Sequence, residues 1–116
     1  MNLNDYQELA GRTLIPEPDF DIKPADVMIS WNAIGLAGET GEVCDLVKKG
    51  IYHQQGIDRE KLKKELGDVL WYLSALASNL GFTLEDVAQT NVEKLRARFP
   101  EGYSPQRTTF RAGNAA

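Results

Sequence analysis

The chain has 116 residues, 42% of them hydrophobic, and a formal net charge of −4. That length and composition fit one soluble globular domain. The acidic balance argues against general duplex DNA binding, no apolar run approaches the roughly 20 residues needed to cross a bilayer, and a single cysteine, Cys44, excludes an intrachain disulfide and a Cys/His zinc cluster.

The N-terminal residues Met1-Asn2-Leu3-Asn4-Asp5 lack the basic-then-apolar pattern of a secretory signal, so a cytoplasmic location is expected. A first helix is expected from Leu3 to about Thr13, capped by Asn2 or Asn4. Pro16, Pro18 and Pro24 then punctuate an extended connection. The second helix begins near Pro24 or Asp26 and runs to about Lys49, because proline is tolerated in a first turn where its missing N–H costs nothing. Gly35, Gly38 and Gly41 recur every three residues along it and suggest close approach by another backbone or a ligand. Gly50 fits a C-cap, with Lys48 and Lys49 at the negative end of the helix dipole. Cys44 sits among apolar helix residues and is expected to be a small buried hydrophobe. His53 falls in the loop that follows.

Asp58 can cap a third helix, whose apolar stripe runs through Leu62, Leu66, Val69, Leu70, Leu73, Leu76, Ala77 and Leu80. Gly81 can end it, and Thr83 with Asp86 forms a cap for a fourth helix from Leu84 to about Arg98. The reading is all-α: one domain over residues 1–116, bundle-like, with a basic C-terminal tail from about residue 100. Lys94, Arg96, Arg98, Arg107 and Arg111 against Glu101 give residues 94–116 a net charge of +4, which leaves −8 on the rest. A basic segment on an acidic body is compatible with a polyphosphate ligand.

Two acidic pairs carry the chemistry: Glu39 with Glu42, and Glu65 with Asp68. Residues three apart share a helix face, so each pair can aim two acids at one point. Projected at about 100° per residue, Glu39 falls inside the apolar stripe of the second helix, and Glu42 falls on its edge. Glu65 and Asp68 flank the leucine stripe of the third helix, and Tyr72 continues that flank. Acids beside an apolar stripe are costly to bury without a partner. Ordinary pairing with Lys61, Lys63 and Lys64 is one answer for the second pair. Two pairs on facing helices around a hard divalent cation is another, and Mg²⁺ held by carboxylates keeps room for substrate phosphates.

Around these acids, Asn32 lies about two turns before Glu39 on the same face, where its amide can read a base edge. Tyr72 can stack on a base or contact a sugar, or serve as a core-edge tyrosine. Trp31 and Trp71 are expected in the core or an interface.

The stretch Gly35-Leu36-Ala37-Gly38-Glu39-Thr40-Gly41-Glu42, then Lys48-Lys49, then Glu65-Leu66-Gly67-Asp68-Val69-Leu70-Trp71-Tyr72, resembles the MazG-like nucleotide pyrophosphohydrolases of the all-α NTP pyrophosphatase superfamily. The resemblance covers about residues 29–99 and includes Asn91-Val92-Glu93-Lys94-Leu95 and Arg98-Phe99-Pro100. Many members carry adjacent glutamates where this chain has Gly38-Glu39, one acid fewer. The resemblance implies a MazG-type helical bundle that splits a nucleoside triphosphate between its α- and β-phosphates, giving a monophosphate and pyrophosphate. It implies Mg²⁺, with Mn²⁺ as a substitute, on Glu39, Glu42, Glu65 and Asp68, and one glutamate of the first pair acting on the attacking water. It assigns Lys94 to phosphate and Asn91 to substrate placement; the charge split, read separately, adds Arg98, Arg107 or Arg111 as assistants at the same ligand from the same or a neighbouring chain. The resemblance also implies a homodimer or homotetramer with shared sites. Nucleotide-pool sanitation is the leading role. The other readings are a phosphoribosyl-ATP pyrophosphohydrolase of the same superfamily and a non-catalytic helical interaction module whose acids hold a structural cation.

Overall fold

In the computed structural model, which describes residues 1–103 and Pro105, four helices follow one another: α1 (Leu3–Gly11), α2 (Pro24–Ile51), α3 (Arg59–Asn79) and α4 (Leu84–Arg98), with no strand among the described residues. The order and the starts match the sequence reading, because local side-chain chemistry sets them. Asn2 caps α1 by accepting from the Asp5 N–H at 2.9 Å, and the Asp5 carboxylate accepts from the Asn2 N–H at 3.2 Å. Pro24 opens α2 in its first turn. Asp58 caps α3 by accepting from the Lys61 N–H at 3.1 Å, and Thr83 caps α4 by accepting from the Asp86 N–H at 3.0 Å. Gly81 lies just past α3 with φ of +78°, the left-handed position at which a helix stops cheaply only on glycine.

One interface dominates. Asn32 meets Asn79, Gly35 meets Tyr72, Glu39 meets Glu65 and Asp68, and Gly50 meets Ile57. Rising numbers on α2 pair with falling numbers on α3, so the two helices are antiparallel. The reversal is tight, with Gln54 and Gly56 both at positive φ. Gly50 is not the expected C-cap: α2 runs on to Ile51 with Tyr52 at its cap, and Gly50 is buried. Its lack of a side chain serves the reversal, since a methyl group there would lie 2.8 Å from Ile57 Cγ1. Gly35 plays the same part for the Tyr72 ring, which would collide with any β-carbon at that position. Gly38 and Gly41 face open space.

Outside this seam the chain packs little. Contact between α3 and α4 is slight, and α1 makes no substantial packing with another helix. Among the described residues Ala77, 7% exposed, is the one buried apolar side chain, while Trp31 is 66% exposed and Trp71 61%. Cys44, expected to be a buried hydrophobe, is exposed, because its side of α2 faces away from α3. The radius of gyration is 20.1 Å, against about 13 Å for a compact 100-residue domain. The basic tail, with Arg107 and Arg111, lies outside the described residues.

Candidate metal centre

The acids cluster where the middle of α2 crosses the first half of α3. Carboxylate oxygens of Glu39, Glu65 and Asp68 all lie within 4.8 Å of one another. Glu39 and Glu65 are half-buried and Asp68 is exposed, so the cluster opens outward on one side. Helical geometry explains the meeting. Glu65, Asp68 and Tyr72 recur at three and four residues on the face of α3 that meets α2. Asn32, Gly35 and Glu39 do the same on the face of α2 that meets α3. Glu42 lies three residues beyond Glu39, about 60° around the helix, and is exposed outside the three-acid cluster. Its charge still reaches Glu39.

The ion pairs of the described residues leave all four acids out. Lys48 and Lys49 pair with Asp45 at 3.6 and 2.8 Å, and Lys63 pairs with Glu60 at 3.3 Å. The expected alternative, lysines of α3 neutralising Glu65 and Asp68, is therefore not what the structure contains: Lys63 serves Glu60 one turn away. The hydrogen bond and charge of Lys49 hold Asp45 below its ordinary value, and Lys49 is raised in return. These two lysines are thus helix-end partners of Asp45.

Crowded acids without a counter-ion resist ionisation. Partial burial is the largest cause that pushes the Glu39 carboxyl up, followed by a hydrogen bond shared with Glu65 and by the charges of Asp68, Glu65 and Glu42. A divalent cation relieves both costs, since it repays the burial and screens the repulsion. The donor set suits a hard ion: three carboxylates, oxygen only, with room for water or phosphate on the open side. Mg²⁺ takes oxygen ligands at 2.0–2.1 Å, which sets them at most about 4.2 Å apart. The 4.8 Å cluster needs only small rotamer changes to close to that.

The remaining sequence candidates divide by helix. Tyr72 is half-buried against Gly35, edge-on to Trp71 with ring centroids 5.0 Å apart. Asn32 is buried in the same seam. Asn91 and Lys94 are exposed on α4, and Arg98 is half-buried at its end. Contact between α4 and the helices that carry the acids is slight among the described residues. His53 lies in the turn after α2, as its sequence position suggested. Asn79 escaped the sequence reading. It falls fourteen residues after Glu65, four helical turns along the same face, and that register was the signal that could have found it.

Comparison with known proteins reaches the same residues. A family model for the MazG nucleotide pyrophosphohydrolase domain matches residues 30–103. The Gene 37 protein of Mycobacterium phage L5 is 36% identical over 106 residues, covering 88% of this chain and 92% of that protein. No solved structure gives a significant match.

Proposed function

Because the chain belongs to the MazG nucleotide pyrophosphohydrolase family, we propose that it hydrolyses (deoxy)nucleoside triphosphates to a nucleoside monophosphate and pyrophosphate in a Mg²⁺-dependent reaction, with Mn²⁺ as a substitute. The observation that carries this reading is the cluster of Glu39, Glu65 and Asp68, which lies inside the matched residues and has no basic partner among the described residues. Nucleotide-pool sanitation is the role that such a reaction serves.

Glu39, Glu65 and Asp68 would hold the ion, which would supply charge to offset the phosphates and to make the attacking water more acidic. Glu42, one turn along α2 and outside the cluster, takes the proton from the attacking water. Attack at the α-phosphorus expels pyrophosphate, whose charge must be matched as it leaves. Lys94 and Arg98 supply that match and Asn91 places the substrate. Because α4 is nearly unpacked on its own chain, these residues reach the acids of a neighbouring copy in a homodimer or homotetramer. The domain spans residues 1–116, and its basic tail adds to the attraction for polyphosphate. The described helices include none long and apolar enough to cross a membrane. We place the protein in the cytoplasm, with nucleotides and copies of itself as partners, and no nucleic acid polymer or membrane.

A pyrophosphate-release assay over a panel of nucleotides, with and without Mg²⁺, tests the reading. Release that needs the metal and stops on chelation is expected. No release from any nucleotide with Mg²⁺ or Mn²⁺ would leave the acids as a structural cation site.

A further inference from the structure

Beyond the acids, the α2–α3 seam holds a second polar pair. Asn32 is only 5% exposed and is the one buried polar side chain among the described residues. Its Nδ2 donates to Asn79 Oδ1 at 2.6 Å, joining one α2 turn to the last residue of α3. Asn32 Oδ1 accepts no hydrogen bond in the described chain, yet no buried polar atom is unsatisfied, so that oxygen still reaches solvent. Asn79 Nδ2 is also unused, on a side chain that is exposed. The pair therefore shows the outside an acceptor and a donor together.

The place of this pair matters as much as its chemistry. Asn32, Gly35 and Glu39 follow one face of α2, and Asn79, Tyr72 and Asp68 follow the facing side of α3. A bound molecule lying along the seam meets the amide pair, then the Tyr72 ring, then the carboxylates. From Asn32 to Glu39 the helix rises about 10 Å, the scale of a nucleoside. An amide turned end for end exchanges its donor and acceptor, so a recognising asparagine needs a neighbour that fixes its sense. A carbonyl that accepts from Nδ2 does this.

We propose that Asn79 is a positioning residue for nucleobase recognition: by accepting from Asn32 Nδ2 it locks the Asn32 amide so that Oδ1 faces the base edge of the bound nucleotide. The ligand class is a heterocycle whose edge carries an N–H donor beside an acceptor, the donor meeting Asn32 Oδ1 and the acceptor meeting Asn79 Nδ2. This rests on the nucleotide reading above and adds the part of the seam that tells bases apart. It predicts that discrimination belongs to the amide pair and turnover to the acids.

The test compares wild type, Asn79→Ala and Asn79→Asp as full-length protein. Two readouts are used: calorimetric binding of the nucleoside monophosphates without metal, and kcat and KM for the triphosphates with Mg²⁺. Wild type is expected to rank the bases in both. Asn79→Ala should narrow the ranking by about three- to tenfold, the worth of one buried hydrogen bond, with the larger part in KM. Asn79→Asp keeps the acceptor for Asn32 Nδ2 but sets an oxygen where Nδ2 met the base acceptor, so it should keep a sharp ranking while shifting it toward edges that present a donor at that place. If Asn79→Ala weakens every base by one factor, or lowers the melting temperature with the ranking intact, the pair is only a helix lock and the proposal is overturned. Wild type that binds all bases alike would overturn it as well. Monophosphate binding ranked by base without any pyrophosphate release would instead sink the catalytic reading and leave the amide pair standing.

Discussion

The α2–α3 seam and the α1/α4 periphery are built from similar residues and end up in opposite states. In the seam, glycines at 35 and 50 let neighbours approach, Asn32 and Asn79 tie the helices at one end, and three acids meet in the middle. In the periphery, α4 has its own cap and its own apolar side chains, yet it buries none of them, and α1 is likewise without a buried residue. The difference separates what one chain supplies from what it needs. One copy sets the acidic cluster through short-range helix pairing. It leaves Trp31, Ile34, Leu70 and Trp71 exposed. On the proposed reading the acids meet within one chain, and Lys94 and Arg98 on α4 reach the acids of a neighbouring copy.

The largest expected effect separates the acids from one another. Asp68→Asn should lower turnover at least about 100-fold and weaken metal binding with it, since even less direct perturbations of a metal site cost 10–100-fold. Glu42→Gln should lower turnover comparably while binding of Mn²⁺, followed by its paramagnetic resonance, stays near wild type. Metal-free melting of both variants should be unchanged or slightly raised, because each removes a like charge. Equal loss of metal binding in both would make Glu42 a ligand instead of the base.

Next comes the exposed apolar surface of the seam helices. Trp71→Glu should split the assembly, with sedimentation showing a dissociation constant raised at least about tenfold, because full burial of a large side chain contributes about 1.5–3 kcal/mol. A stable, active wild-type monomer at micromolar concentration would remove the reason for placing α4 on a neighbour's site.

Within the seam, Gly35→Ala should destabilise the chain by about 1–3 kcal/mol, as forced overpacking does, since its methyl meets the Tyr72 ring. Adding Tyr72→Leu should recover part of the loss. A similar cost for Gly38→Ala, where space is open, would argue against this packing account.

The pH dependence is smaller and has a definite sign. The folded chain raises Glu39 above its ordinary 4.5, so the proton is held more tightly folded than unfolded. That favours the fold at low pH, and the advantage is lost as pH rises through the raised value. Metal-free Glu39→Gln should therefore gain on wild type in melting temperature as pH goes from about 4 to 7. A constant difference would mean that the cluster does not resist ionisation.

The smallest effect is expected at the caps. Asp58→Ala should cost about 1 kcal/mol through the α3 cap, and Thr83→Ala about the same at α4. Only the Asp58 variant should disturb metal affinity, because α3, unlike α4, carries acids of the cluster.

Much of this was legible in the chain because helix starts and faces are local. Asn2, Asp58 and Thr83 announce their helices by side-chain chemistry alone, and a spacing of three and four put the acids beside the apolar stripes. What was hidden depended on the partner helix. Gly50 beside Lys48 and Lys49 has the pattern of a C-cap, yet the returning Ile57 packs on it and α2 continues past it. Cys44 reads as core, but among the described residues substantial packing is confined to one seam, and Cys44 stays exposed outside it. The four acids read as two equal pairs; the 60° turn from Glu39 to Glu42 sets Glu42 apart only once the direction of α3 is fixed.

The central claim is that one chain's α2–α3 seam carries a divalent-metal site for phosphate chemistry. Titration of Mn²⁺ into metal-stripped protein, followed by paramagnetic resonance with and without pyrophosphate, tests it most directly. The account predicts saturable binding by wild type, loss of that binding in a Glu65→Gln, Asp68→Asn double variant that still unfolds cooperatively, and a changed Mn²⁺ spectrum when pyrophosphate is added to wild type. Equal Mn²⁺ binding by wild type and the double variant, or none by either, would contradict it.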